Sequence, residues 1–335
     1  MGKKTAESNT NKILSGFSLQ KLLAPVALVV IYIFFCFTGN NFLSSSAFVN
    51  ILDSSYYIGF LAIGVTFAII TGGIDLSIGT VMMTSALIGG VAYTVWGFPM
   101  PLALLVCVLT GAFFGLINGI LIAKFKLVPF VATLGVQMVS QGFGAIVSKV
   151  MTMRYPTVGS PGGEFKQVLY KTSGGFPIGV VWLAIFFLIA YVLLNKTRLG
   201  RYTYAMGSNE EATRLSGVDV DKWKIIVYVI VGTFAGMAGV MFAAAYTSIT
   251  PSTGAGMEIL GIAAVVIGGT SLAGGVGSLA GTIIGVYIMA VLKQGLMSMG
   301  LQGHYQTFFT GIVVVAAVML DIYRNKKAST VKKIN

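Results

Sequence analysis

Few side chains in this chain are able to do chemistry, and the ones that are stand in apolar surroundings. Asp75 and Ser77 fall within GGIDLSIG, Gly72 to Gly79, and Glu258 opens the run MEILGIAAVVIGG. A carboxylate inside an apolar run is costly, so it marks a functional position or a helix cap. Gly72 and Gly73 interrupt one apolar run where Asp75 and Ser77 suit the cap of a second helix, and a capping role for Asp75 is the expectation. Glu258 is expected at a water-facing end of its run, hydrated and compensating a helix N-terminus. Thr133, Gln137 and Gln141 recur at i, i+4 and i+8, with Ser140, Gly144 and Ser148 nearby, and Asn118 adds an amide in the preceding run. One helix face therefore carries uncharged hydrogen-bonding groups. Such a stripe serves either as interhelical glue, at about 0.6 kcal/mol per bond, or as the lining of a path for an uncharged, hydroxyl-rich solute. A charged solute calls for buried ionic partners, and Glu258 is the one clear candidate.

Enzymatic and metal chemistry find no support. The single histidine, His304, begins the final apolar run, where a lone polar residue at a helix end is the ordinary reading. No Cys/His cluster has metal spacing. Cys36 and Cys107 both lie in apolar runs and read as packing residues. Gly275, Gly277 and Ala280 match G-x-G-x-x-A, yet they lie between two apolar runs and not between a strand and a helix, so no dinucleotide site follows. A phosphate-binding G-x-x-x-x-G-K-[ST] is absent from the 335 residues. No cofactor is implied.

The elements that must hold these residues are membrane helices. The chain is 56% hydrophobic and 10% charged, and no hydrophilic block is long enough for a soluble domain. Apolar runs recur at 22–38, 56–71, 78–96, 101–123, 129–149, 177–194, 225–246, 257–272, 278–292 and 305–320. The expectation is an all-α polytopic membrane protein with about ten spans. Several runs are shorter than the roughly 20 residues of a straight crossing, so a broken or re-entrant segment is expected, most of all around Leu272. The first run is long for a signal core and lacks a cleavage pattern, and reads as a retained anchor. Glycines three or four apart, at 111, 115 and 119, at 232, 236 and 239, and at 277, 281 and 285, suit close helix packing. GGTSLAGG at Gly268 to Gly275 echoes GGIDLSIG in register, with Ser271 in place of Asp75, and hints at an internal repeat.

Basic residues orient the chain. Four precede the first run, Lys124 and Lys126 follow the fourth, six lie in 195–224 and five in the C-terminal segment. With both termini in the cytoplasm all of these face inward, as the positive-inside rule demands, leaving Lys149, Arg154, Lys166, Lys171 and Lys293 at or beyond the outer face. The net charge of +12 is thus a topology signal and an attraction to anionic lipid, and calls for no nucleic acid. The expected organisation is a cytoplasmic tail over 1–21, a membrane domain over 22–321 with a polar loop at 195–224, and a second cytoplasmic tail over 322–335. Within that loop Asn209 suits an N-cap, Glu210 and Glu211 the first turn, and Gly217 the stop of a short amphipathic helix with Ala212, Leu215 and Val218 as its apolar face.

AMGSNEEATRLSGV resembles the coupling loop of permease subunits of binding-protein-dependent ABC importers of the ribose, galactose and xylose type. The resemblance extends over 42–321 and includes GGIDLSIG, LVPFVATLG at Leu127 to Gly135, NKTRLGRYTYAMG at Asn195 to Gly207 and AAVVIGGTSLAGGVGS at Ala263 to Ser278. It implies an inner-membrane subunit that imports a monosaccharide by alternating access, with a second permease subunit, identical or paralogous, two ATPase domains docked against Asn209, Glu210, Glu211, Ala212, Arg214, Leu215 and Gly217, and an extracytoplasmic sugar-binding protein. Relatives carry an acidic residue at the place of Glu258, which implies a part in gating or in receiving the binding protein. The rival reading, an ion-coupled secondary transporter, requires ionisable residues buried in mid-span, and these are nearly absent.

Overall fold

A computed structural model describes residues 19–251, 253–301 and 303–334. Most of the expected N-terminal tail, residues 1–18, lies outside the described residues. The helices are α1 (Leu19–Thr38), α2 (Ser45–Ile70), α3 (Ile78–Thr94), α4 (Met100–Ala123), α5 (Pro129–Val147), α6 (Glu164–Leu169), α7 (Gly179–Lys196), α8 (Arg198–Ser208), α9 (Glu210–Leu215), α10 (Val220–Ala245), α11 (Met257–Ile267), α12 (Leu279–Ser298) and α13 (Gly303–Ile334). Strands β1 (Met153–Arg154) and β2 (Ser248–Ile249) form a two-stranded antiparallel ladder.

Seven helices, α2, α4, α5, α7, α10, α12 and α13, are long and apolar enough to cross a membrane, and α1, α3 and α11 are shorter apolar helices. The protein is therefore a helical, polytopic membrane protein. Each expected run coincides with a helix, but the polar start of α2 extends eleven residues before the run at 56. Hydropathy does not mark that start because Asp53, Ser54 and Ser55 dilute it; an N-cap does, since the Ser44 hydroxyl accepts from the Ala47 amide at 3.2 Å.

α2 is the central post. Ser55 to Ile70 is buried without interruption, enclosed by α10, α12, α11 and α7. Helices α5, α7 and α13 keep much of their apolar surface exposed, as lipid-facing helices do. The most extensive contact joins α4 to α10. It is a seam of glycines: a Cβ on Gly111 meets the Gly232 carbonyl, one on Gly115 meets the Tyr228 carbonyl, and one on Gly236 comes within 2.9 Å of the Val108 Cα. With no hydrophobic drive between helices in lipid, backbone-to-backbone approach of this kind supplies the van der Waals contact that holds them.

Gly232→Leu is expected to push α4 off α10, an overpacking cost of about 1–3 kcal/mol or more. Gly135→Leu, whose Cβ meets open space, serves as the control. In fluorescence-detected gel filtration after mild extraction, the first variant loses the monodisperse peak and the second keeps it; equal profiles overturn the role given to the seam.

Candidate functional site

Two helix breaks define the centre. α2 ends at Ile70, Gly72 takes φ +80°, and an extended stretch leads to α3 at Ile78. α11 ends at Ile267, and Gly269, Gly274 and Gly275 all take positive φ before α12 begins at Leu279. Exposed backbone is not tolerated in hydrocarbon, so each break must find partners. Gly275 donates its amide to the Ile70 carbonyl at 2.8 Å, which binds one break to the other. The echo between them is structural: the Ser77 amide donates to Asp75 Oδ1 at 2.8 Å, and in the same register the Ala273 amide donates to Ser271 Oγ at 3.2 Å. One step earlier in each, the Leu76 amide donates to Thr133 Oγ1 and the Leu272 amide to Asp321 Oδ2.

Asp75 is 1% exposed. Its Oδ1 also accepts the Ser77 hydroxyl at 2.6 Å, and its Oδ2 accepts from Asn118 Nδ2 at 3.2 Å. The capping expectation is corrected here: Ser77 makes no side-chain cap bond to α3, and Asp75 closes a tight turn ahead of the helix. Asn118 and Thr133, expected along a path, are buried and brace this turn. Tyr228, which sequence reasoning passed over, places its buried hydroxyl beside Gly73, and among the described residues that oxygen and Asn118 Oδ1 have no hydrogen-bond partner.

Glu258 is the second carboxylate, and it is buried, at 6% exposure, where a hydrated position was expected. The cause is the company it keeps. Both its oxygens accept from the Gly256 amide at 3.0 Å, and Gln137 Nε2 donates to Oε1 at 3.2 Å. A Cβ on Gly79 collides with Oε2, so the first turn of α3 abuts the first turn of α11. Two helix N-termini, each with a partial positive charge, thus share one carboxylate. Ser140, a turn beyond Gln137, exchanges a hydroxyl bond with Thr80 at 2.8 Å and accepts from Thr84 through its carbonyl at 2.7 Å. Gln141 departs from this packing: it lines an open groove of about 670 Å³ with Met138, Thr152 and Thr250.

The 195–224 stretch builds a collar against the breaks. Its first half is α8, a helix not foreseen from the sequence. The Tyr204 hydroxyl donates to the Gly277 carbonyl at 2.9 Å, and a Cβ on Gly207 collides with the Ile70 carbonyl and reaches the Gly275 amide at 2.5 Å. Asn209 then caps α9, its Oδ1 accepting from the Ala212 amide at 2.9 Å, and Gly217 at φ +85° follows the helix end. Arg214 bridges to Asp221 at 2.8 Å, Lys126 reaches the same carboxylate at 2.7 Å, and Glu210 pairs with Lys224. Only Thr213 of α9 is buried; Glu211, Ala212, Leu215 and Gly217 face outward, with Leu215 83% exposed.

Asp75→Asn is expected to cost little, because its oxygen still accepts from Ser77 and a rotated Asn118 amide offers its unpartnered oxygen. Asp75→Leu strands the Ser77 and Asn118 donors at about 1–3 kcal/mol each. Thermal unfolding in detergent separates the two, and equal stability of both variants sinks the assignment.

A family model described as "Branched-chain amino acid transport system / permease component" matches residues 47–318. The ribose import permease of Escherichia coli K12 is 40% identical over 312 residues, covering 90% of this chain and 92% of its own. The fructose import permease of Rhizobium meliloti is 33% identical, over 91% and 87%. The xylose transport system permease of Haemophilus influenzae is 30% identical, over 94% and 99%. No solved structure matches. With similarity along nearly its whole length, the chain belongs to this family of permease subunits of binding-protein-dependent ABC importers, multi-pass proteins of the inner membrane.

Proposed function

We propose that this subunit imports an uncharged monosaccharide, a ribose-type pentose or a hexose, by alternating access driven by ATP on a separate chain. One observation carries the substrate class. Among the described residues, the buried polar groups of α3, α5 and α11 are hydroxyls, Glu258 and no Lys or Arg, with Gln137 half-buried beside them. Beside these packed hydroxyls, the partly exposed Gln137 and Gln141 offer donors and acceptors to sugar hydroxyls. Among the described residues no buried cation of these helices is there to hold the carboxylate of an amino acid, despite the wording of the family description. The sugar specificities of the ribose, fructose and xylose relatives agree with it.

The ten apolar helices act as ten segments of the membrane domain, α11 rising only about 16 Å and serving as a re-entrant piece. Both termini and α9 lie in the cytoplasm, on the side where the basic residues concentrate. The outward face of α9, carrying Glu211, Ala212, Leu215 and Gly217, receives the ATPase, while Arg214 and Glu210 hold the helix to α10. Movement of α9 passes through Asn209 to α8, and through Tyr204 and Gly207 to both breaks. A second permease copy or paralogue supplies the opposite wall of the path, with Gln137 and Gln141 on this one, and an extracytoplasmic binding protein delivers the sugar.

In the assembled complex, Glu211→Lys or Gly217→Pro is expected to leave insertion intact and cut sugar-stimulated uptake and ATPase activity by tenfold or more, roughly the effect of reversing a helix-end charge or fixing φ at a turn. Normal activity in both variants excludes α9 as the coupling helix. Cysteines at 137 and 141, in a background lacking Cys36 and Cys107, are expected to react with a small impermeant thiol reagent and to be protected by the transported sugar. Inaccessibility in every state reassigns this stripe to packing.

A further inference from the structure

The pocket between α6 and the end of α10 contains a buried cation that no acidic group of the described residues pairs with. Lys166 is only 6% exposed; among the described residues its ammonium has one hydrogen-bond partner, Thr247 Oγ1 at 3.3 Å, and lies 5.9 Å from the centre of the Phe165 ring. No acidic group among the described residues approaches it within 4.0 Å. An ammonium has three donors, and buried charges are ordinarily paired because desolvation is expensive. Burial accordingly pushes the Lys166 ammonium below the usual lysine range. The cavity beside it holds about 350 Å³ and is lined by Thr157, Lys166, Lys171, Thr172 and Thr247, with exposed Ser173 also on its wall. Lys171 is a second cation there, only partly engaged by Asp53 at 3.5 Å. The 26 residues of α10, about 39 Å of helix, separate this pocket from α9.

We propose that this pocket binds a phosphate-type oxyanion, with Lys166 as the central cation and Lys171 and the threonine hydroxyls around it. The phosphate is either free in solution or carried by the head of a phospholipid. The inference is independent of which sugar the protein moves, since none of these residues touches the helix breaks.

The test uses the full-length chain, purified and stripped of lipid in phosphate-free detergent, with inorganic phosphate as the probe. Wild type is expected to gain thermal stability saturably, and Lys166→Met to bind roughly thirtyfold or more weakly, as loss of one partner of a buried charge pair demands. Without phosphate the order reverses, Lys166→Met being at least as stable as wild type because an uncompensated buried charge is gone. Lys166→Arg restores binding, and Thr247→Val, which keeps the charge, guards against misfolding by retaining weakened binding. Native mass spectrometry from membranes then separates the sources: phospholipid retained by wild type and lost in Lys166→Met identifies a lipid head, while binding of free phosphate alone identifies a soluble ion. Equal phosphate and lipid binding by wild type and Lys166→Met, or weaker capture of the sugar-binding protein by the variant with no phosphate response in either, overturns the proposal.

Discussion

Backbone touching backbone, along the seam of α4 and α10, is the contact on which the rest of the molecule leans. In hydrocarbon, apolar side chains gain nothing by leaving lipid for one another, so helices associate where small residues let main chains approach. Gly111, Gly115, Gly232 and Gly236 permit this approach. The seam fixes α10, and α10 carries much else: Asp221 anchors Arg214 and Lys126 at one end, Tyr228 stands beside the first break, and Thr247 lies just past the other end. A shift along the seam reaches all three.

The carboxylates follow from the breaks. Interrupting a helix within the membrane leaves donors and partial charges that water is not there to satisfy. Asp75 absorbs the donors of the first turn, and Glu258 lies where two helix starts converge. Their burial does not itself mark a catalytic or ion-carrying role, since each has a structural partner set. Each also accepts from a neighbouring helix, Asp75 from Asn118 of α4 and Glu258 from Gln137 of α5.

Much of this was legible in the sequence because the signals were local. The positions of the apolar helices follow from hydropathy, the Asn209 cap from its side chain, and the stop at Gly217 from its being a glycine, which takes φ +85°. The glycine seams were legible as spacing, though not which helices they would join. What escaped depended on three-dimensional proximity. α8 is polar and carries no hydropathy signal, yet Gly207 and Tyr204 tie it to two loops about 70 and 140 residues away, distances in sequence that no local pattern spans. Glu258 reads as a surface acid until α3 closes over it, and Thr133 reads as a member of the Gln137–Gln141 stripe until the Leu76 amide claims its hydroxyl. The pairing of β1 with β2 was equally invisible, each being two residues long.

Gly207 lies against Ile70 of one break and Gly275 of the other, and those two residues are hydrogen-bonded to each other. The end of α8 therefore grips both interruptions at a single point, with no side chain between to absorb slack. The two breaks meet at one joint and not at two separate ones. A side chain at position 207 would wedge into both breaks at once, so the joint between them depends on what one glycine lacks.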